Sequence, residues 1–249
     1  MSEWLKEHAW KACVRATVPW VRIPSSPPSI REKQPAKRLF LLEYNLSMKK
    51  ANETILTYEK YAEIYDDEVV QFWENFPREF FAEFCSGLPG KKILNLGSGT
   101  GRDALILKEF NLDVVCVDAA RAMTDITSKL GFESVNATFD EFDYKKKSFD
   151  GVWAYTSLIH IPKNEAKRII EKINFALKPG GKFAVGVIEG AAVGMVGRST
   201  MPDGLRYFKE YRREELTSFV SSCGFTIEYE QDYRPNKRVY LSQVYKKAG

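Results

Sequence analysis

Thirteen residues constrain this chain more than any others: Lys91-Lys92-Ile93-Leu94-Asn95-Leu96-Gly97-Ser98-Gly99-Thr100-Gly101-Arg102-Asp103. An apolar run breaks into three alternate glycines and then into a helical pattern. A buried strand that enters such a turn brings bare backbone close to a ligand, and the helix that follows presents its free N–H groups to the same place. The pattern is that of a nucleotide-cofactor loop, although a glycine-rich turn also occurs simply to reverse the chain. The next apolar run, Asp113-Val114-Val115-Cys116-Val117-Asp118, ends in a carboxylate. It stands about 20 residues after the first glycine, the spacing that lets an acid at the tip of a second parallel strand accept hydrogen bonds from both hydroxyls of a ribose.

From there strand and helix patterns alternate. A helix with Met123, Ile126 and Leu130 inward leads to a third strand, Ser134 to Phe139, and a fourth strand runs from Phe149 to Tyr155. A helix then starts near Pro162 and Lys163, buries Ala166, Ile169, Ile170, Ile173 and Leu177, and stops at Lys178-Pro179-Gly180-Gly181. Strand five is Lys182 to Ile188. Such alternation predicts a doubly wound parallel sheet with helices on both faces. A last helix, Arg213 to Cys223, precedes two alternating runs, Thr226 to Tyr233 and Arg238 to Tyr245, joined by four residues. A connection that short permits only an antiparallel hairpin, so the α/β sheet of seven strands ends with one reversed strand.

Ahead of the glycine loop, about 53–88 read as helical and aromatic, with Tyr58, Tyr61, Tyr65, Phe72, Trp73, Phe76, Phe80, Phe81 and Phe84 at spacings that put most rings on one stripe. The stripe is either a helix packed on the sheet or a lid in which Tyr61 or Tyr65 closes over a cofactor.

Residues 1–47 differ from the rest: they carry five of the eleven prolines and three of the five tryptophans and follow no sustained period. Back-translated, Glu3 to Lys6 and Val21 to Pro24 resemble the D-arm and T-arm of a transfer-RNA gene. The expectation is a non-native or disordered extension over 1–47, with one folded domain over 48–249. The segment also holds eight basic and four acidic residues, which accounts for the whole net charge of +4. The remainder is neutral, which argues against a phosphate-binding surface. Four scattered cysteines suggest neither a metal site nor a disulfide framework, and no apolar run reaches the roughly 18 residues of a membrane span. A cytoplasmic protein is expected.

Together these residues resemble the class I S-adenosylmethionine-dependent methyltransferases. Ile93 to Gly101 matches their glycine motif, Asp118 their ribose acid, Phe149-Asp150 their strand-four entry, and Leu177-Lys178-Pro179-Gly180-Gly181 their marker before strand five. The terminal hairpin resembles the reversed seventh strand of that Rossmann-like fold. The resemblance implies S-adenosylmethionine as cofactor, held by Tyr61, Gly97, Ser98, Gly99, Thr100, Gly101, Asp118, Ala119, Thr138, Phe139 and Tyr155. Two departures stand out: Asn95 replaces the acid common before the glycine loop, and Thr138 replaces a third-strand acid that holds adenine. An NAD-dependent oxidoreductase shares the loop and the acid but wants a further set of parallel strands in place of the hairpin.

After strand four the chain reads Ala154-Tyr155-Thr156-Ser157-Leu158-Ile159-His160-Ile161-Pro162, which lacks the motifs of enzymes that methylate bases in nucleic acids and resembles the small-molecule branch. A looser likeness, supported by Arg206-Tyr207-Phe208, is to enzymes that esterify carboxymethyl wobble uridine; a non-catalytic cofactor-binding protein is the third reading. Tyr155 to His160 and Glu189 are expected to border the cleft, with Gly190 to Phe208 as a mobile cover. His160 is the candidate base, or else packs the following helix. Arg206 is expected to anchor an acidic group of a small acceptor and Tyr207 to close over it.

Overall fold

The computed structural model describes residues 49–248, so the expectations for 1–47 lie outside the described residues. Helix α1 occupies residues 49–60, α2 Ala62–Glu74 and α3 Arg78–Cys85. The strand–helix alternation follows as β1 Lys92–Leu96, α4 Arg102–Glu109, β2 Asp113–Asp118, α5 Arg121–Lys129, β3 Glu133–Asn136, β4 Phe149–Tyr155, a 3-10 turn Leu158–His160, α6 Lys163–Ala176 and β5 Leu177–Ile188. A hairpin of β6 Val193–Arg198 and β7 Met201–Lys209 precedes α7 Arg213–Ser221, β8 Phe225–Tyr233 and β9 Tyr240–Lys247.

Seven strands form one sheet in the order β3-β2-β1-β4-β5-β9-β8, while β6 and β7 pair only with each other. Leu94 of β1 pairs in parallel with Val115 on one side and Val152 on the other. Strand β9 runs antiparallel to both β5 and β8, which makes it the single reversed strand the sequence requires. Between β1 and β4 the strand order changes direction, and in an open sheet the crevice outside that point is where ligands collect. Asp150, 1% exposed, fixes this junction: one oxygen accepts from the Lys92 amide at 2.9 Å and the other from Lys178 Nζ at 2.8 Å.

The aromatic stripe divides between two tasks. Phe80, Phe81 and Phe84 are fully buried against β4, where Phe81 stacks on Trp153 with ring centres 4.5 Å apart. Phe76 meets Tyr155 edge-on at 5.0 Å. Toward the N-terminus, Tyr58 and Tyr65 leave this cluster and pack edge to face with each other at 5.1 Å.

Several expectations move: strand five starts at Leu177, which was expected in the helix before it, instead of Lys182, and the last strand runs Tyr240–Lys247 instead of Arg238 to Tyr245. The third strand stops at Asn136 instead of Phe139, because the Asn136 amide turns back to donate to the carbonyls of Asp118 and Ala119 and ends the pairing with β2. The segment expected to be a mobile cover is a β-hairpin docked on α1: Thr57 Oγ1 donates to the Leu205 carbonyl at 2.8 Å, and the Tyr207 amide donates to Thr54 Oγ1 at 2.9 Å. Its alternation was masked in the sequence by three glycines and a proline, yet backbone pairing from Val193↔Lys209 to Arg198↔Met201 satisfies the chain.

Candidate functional site

Strand β1 delivers the chain into a turn pinned to β2, since the amides of Gly97 and Ser98 both donate to the Val117 carbonyl, at 2.8 and 3.0 Å. Gly97 has φ +75, and a Cβ there would lie 2.3 Å from the Ser157 Cβ. Gly101, at φ +81, caps α4 where a Cβ would fall 2.8 Å from Thr127. Both positions exclude any side chain by conformation and by space. Asp118 then closes the turn, accepting from the Gly99 amide through Oδ2 and from the Ala120 amide through Oδ1, each at 2.9 Å. Burial raises its pKa, against the opposing pull of the Ala120 and Gly99 amides. Each carboxylate oxygen keeps a second acceptor site, which is what two adjacent hydroxyls require.

The loop, Asp118 and the end of β4 open onto a cleft of about 400 Å³, within the range of small-ligand sites. Gly97, Ser98, Gly99 and Thr100 line it, as do Asp118 and Ala119. Thr138, Phe139, Tyr155 and His160 lie on it too. Met123, Phe139 and Ile169 supply an apolar wall, and Tyr58 and Tyr65 border the opening under α1 and α2. The Thr138 hydroxyl is spent on Glu141: it donates to Oε2 at 2.9 Å and accepts the Glu141 amide at 3.3 Å.

Asn95 does not leave the site without an acid. Asp103, from the first turn of α4, lies on the cleft and accepts from Asn95 Nδ2 and from the Ala104 amide, both at 2.8 Å. Burial pushes its pKa up to about 6. Sequence reasoning missed this residue; the signal was an acid one turn into the helix, on the side that faces back to the strand. Arg102 beside it forks onto both oxygens of Asp66, with Nε donating at 2.8 Å, and ties α2 to the glycine loop.

On the opposite side His160 and Arg206 meet at Tyr58, which was not singled out as a site residue, and Tyr207 joins them through His160. His160 Nδ1 lies 2.7 Å from the Tyr207 carbonyl and Nε2 lies 2.9 Å from the Tyr58 hydroxyl. Arg206 Nη1 donates to the same hydroxyl at 3.3 Å, and its guanidinium sits over the rings of Tyr58 and Phe208. Arg206 is 2% exposed, and its Nε and Nη2 have no hydrogen-bond partner among the described residues.

Residues 93–181 match the family profile described as a methyltransferase domain. Over these residues the chain is similar to a methyltransferase domain. Among curated relatives, a sterol 24-C-methyltransferase of Yarrowia lipolytica is 29% identical over 175 residues, covering 62% of this chain and 44% of that protein. An uncharacterized protein of Methanocaldococcus jannaschii is 32% identical over 135 residues, covering 53% of this chain and 61% of that one. The chain thus spans about half the length of these relatives. The crystal structure of a Burkholderia thailandensis 1,6-didemethyltoxoflavin-N1-methyltransferase, with 1,6-didemethyltoxoflavin and S-adenosylhomocysteine bound, superposes with a TM-score of 0.62 at 21% identity over 92% of this chain and 94% of that one. At that identity the likeness establishes the class I fold, the mostly parallel seven-stranded sheet with its reversed strand.

Some expected residues stand off the cleft. Tyr61 donates its hydroxyl to the Pro202 carbonyl and packs under the hairpin, so Tyr58 and Tyr65 take the lid positions. Gly101 serves the helix start, and Arg206 and Tyr207 stand behind Tyr58. Glu189 is exposed and bridges to Tyr211 at the far end of β5. At the expected base His160, burial, with the Arg206 charge adding to it, lowers the pKa to about 4 despite the Tyr207 carbonyl.

The shift has a sign in stability. The unfolded chain protonates His160 near pH 6.5, while the folded chain resists until about pH 4, so stability present above pH 6.5 is lost as the pH falls through that window. Asp103 acts oppositely, because its folded pKa is raised and its contribution grows as the pH falls below about 6. The two offset in wild type. Urea titrations of wild type and His160→Asn at pH 7.5 and pH 5 separate them: removal of the imidazole should shift the difference in unfolding free energy by about 1–2 kcal/mol in favour of the variant at pH 5. An unchanged difference would mean that His160 titrates normally.

Proposed function

We propose that this chain is an S-adenosylmethionine-dependent methyltransferase acting on a small-molecule acceptor in the cytoplasm. The observation that carries the reading is Asp118, a buried carboxylate at the tip of β2 that clamps the glycine loop at the β1–β4 crevice and keeps free acceptor sites on both oxygens. Those sites suit the two ribose hydroxyls of the cofactor. The apolar wall of Met123, Phe139 and Ile169 suits an adenine ring, and the open backbone at Gly97 and Gly99 suits close approach of the amino-acid end. The cofactor supplies a sulfonium methyl already activated by its own charge, so the protein has mainly to align a nucleophile and exclude water. Tyr58 and Tyr65 at the opening do the second.

A small acceptor is supported by the size of the cleft and by the curated relatives, which include methyltransferases named for sterols, demethylmenaquinone and a demethylrifamycin. No helix among the described residues is long and apolar enough to cross a membrane, and Cys85, Cys116 and Cys223 are free thiols, as a reducing compartment allows. Calorimetry on the full chain tests the reading. Heat of binding is expected with S-adenosylmethionine and S-adenosylhomocysteine and none with NAD at the same concentration. An acceptor panel read out by S-adenosylhomocysteine release should then find turnover. Binding of NAD, or silence with both sulfur ligands, would refute the proposal.

A further inference from the structure

Of the five carboxylates that line the cleft, Asp103, Asp118, Asp140, Glu141 and Glu165, Asp103 alone is buried, at 4% exposed. Asp118 holds the Gly99 and Ala120 amides, Asp140 is paired with Arg168 and Lys172, and Glu141 accepts from Thr138. The donors to Asp103 are all neutral: Asn95 Nδ2 and the Ala104 amide both reach Oδ1, and the Trp153 indole favours the ionised form as well. Each carboxylate oxygen accepts two hydrogens, so Oδ2, which takes neither of the 2.8 Å bonds, keeps room for a donor. An acid in the first turn of α4 also steadies the helix start, which accounts for the Ala104 bond and not for a place on the cleft.

The cationic side chains nearby are committed elsewhere. Arg102, the one cation among the lining residues, forks onto both oxygens of Asp66, and Arg206 stands behind Tyr58. Burial pushes the pKa of Asp103 up to about 6, so at pH 7 the group is still mainly ionised. A buried carboxylate held by neutral donors alone is costly, and a cation bonded to it offsets much of the desolvation. Position narrows the choice of cation. Asp118 ends β2, whereas Asp103 is bonded to Asn95 of β1, the next strand toward β4, and its charge bears on Tyr65 at the opening.

Resting on the methyltransferase reading above, we infer that Asp103 binds the α-ammonium at the amino-acid end of the cofactor through Oδ2, with Asn95 as the positioning residue. With the ribose on Asp118 and the adenine against Met123 and Phe139, the amino-acid arm is the part left to run along Gly97 and Gly99 toward β1. That arm carries one ammonium and one carboxylate. Two carboxylates repel, so the ammonium turns to Asp103 and the carboxylate turns away. Asn95 holds Oδ1 and so leaves Oδ2 to the cleft. The acid absent at position 95 is thereby supplied from eight residues further on, by the helix instead of the strand.

Calorimetry on the full chain tests this with S-adenosylhomocysteine, its analogue lacking the α-amino group, and methylthioadenosine, in which a methyl group replaces the amino-acid arm. Wild type should bind S-adenosylhomocysteine at least about tenfold tighter than the deamino analogue. In Asp103→Asn, which keeps an oxygen for Asn95 and Ala104 but no charge, that preference should fall below about threefold, with methylthioadenosine affinity kept within about twofold. A wild-type preference already below about threefold would overturn the inference without recourse to any variant. A preference that survives in Asp103→Asn would overturn it too, by placing the ammonium elsewhere and leaving Asp103 to the helix or to a cationic acceptor. Loss of methylthioadenosine binding in the variant, in step with S-adenosylhomocysteine, would overturn it by showing that Asp103 only braces the loop. Wild type that binds none of the three ligands would instead refute the methyltransferase reading, and this inference would fall with it.

Discussion

Replacing Asp118 by alanine is expected to weaken binding of S-adenosylhomocysteine by about 2–4 kcal/mol, roughly 30- to 1000-fold, because two hydrogen bonds to a charged oxygen acceptor are lost together. The effect has a second source in the protein itself. Both carboxylate oxygens hold backbone amides, Gly99 on one side and Ala120 on the other, so the alanine variant also releases the loop that the ligand needs in place. Asp118→Asn separates the two contributions. The asparagine oxygen can still accept from the Gly99 amide, whereas the negative charge and one set of acceptor sites are gone. Its affinity should lie between wild type and Asp118→Ala. Calorimetry measures both, and an alanine variant that binds as wild type does would place the ribose elsewhere.

Replacing Phe81 by alanine is expected to lower unfolding stability by about 3–5 kcal/mol while leaving cofactor affinity within about twofold. Phe81 is fully buried, stacks on Trp153 at 4.5 Å and meets Phe76 at 5.6 Å, so truncation empties the space between α3 and β4. It does not line the cleft. Urea unfolding measures the loss as a lower midpoint at unchanged slope. A loss under about 1 kcal/mol would show that α3 is a detachable cover and no part of the core. The N-terminal helices thus do two things: their phenylalanines build the core, and Tyr58 and Tyr65 border the cleft.

That division also shows where local pattern stops being informative. Spacings of three and four put Tyr58, Tyr61 and Tyr65 on the same side as the phenylalanines, yet the phenylalanines pack on β4 while Tyr58 and Tyr65 border the cleft. Tyr61 and Tyr65 lie one turn apart, yet Tyr61 points under the hairpin to the Pro202 carbonyl and Tyr65 borders the cleft. Helical periodicity gives the face, and only the neighbours give the destination.

The sequence by itself determined the sheet, its alternation with helices, the reversed strand and the cofactor loop. Each of these rests on local physics: apolar runs of strand length, a four-residue connection that can only be a hairpin, and glycines whose positive φ no other residue adopts without strain. The tertiary structure decided which residues share the acceptor side. Asp103 came to Asn95 from across the strand-to-helix turn, and His160 and Arg206 converged on Tyr58 from about 100 to 150 residues away in the chain, with Tyr207 behind His160. It also set the surroundings of His160, whose burial lowers its pKa. A pKa depends on the dielectric and the charges around the ring, and a sequence lists neither until the chain has folded.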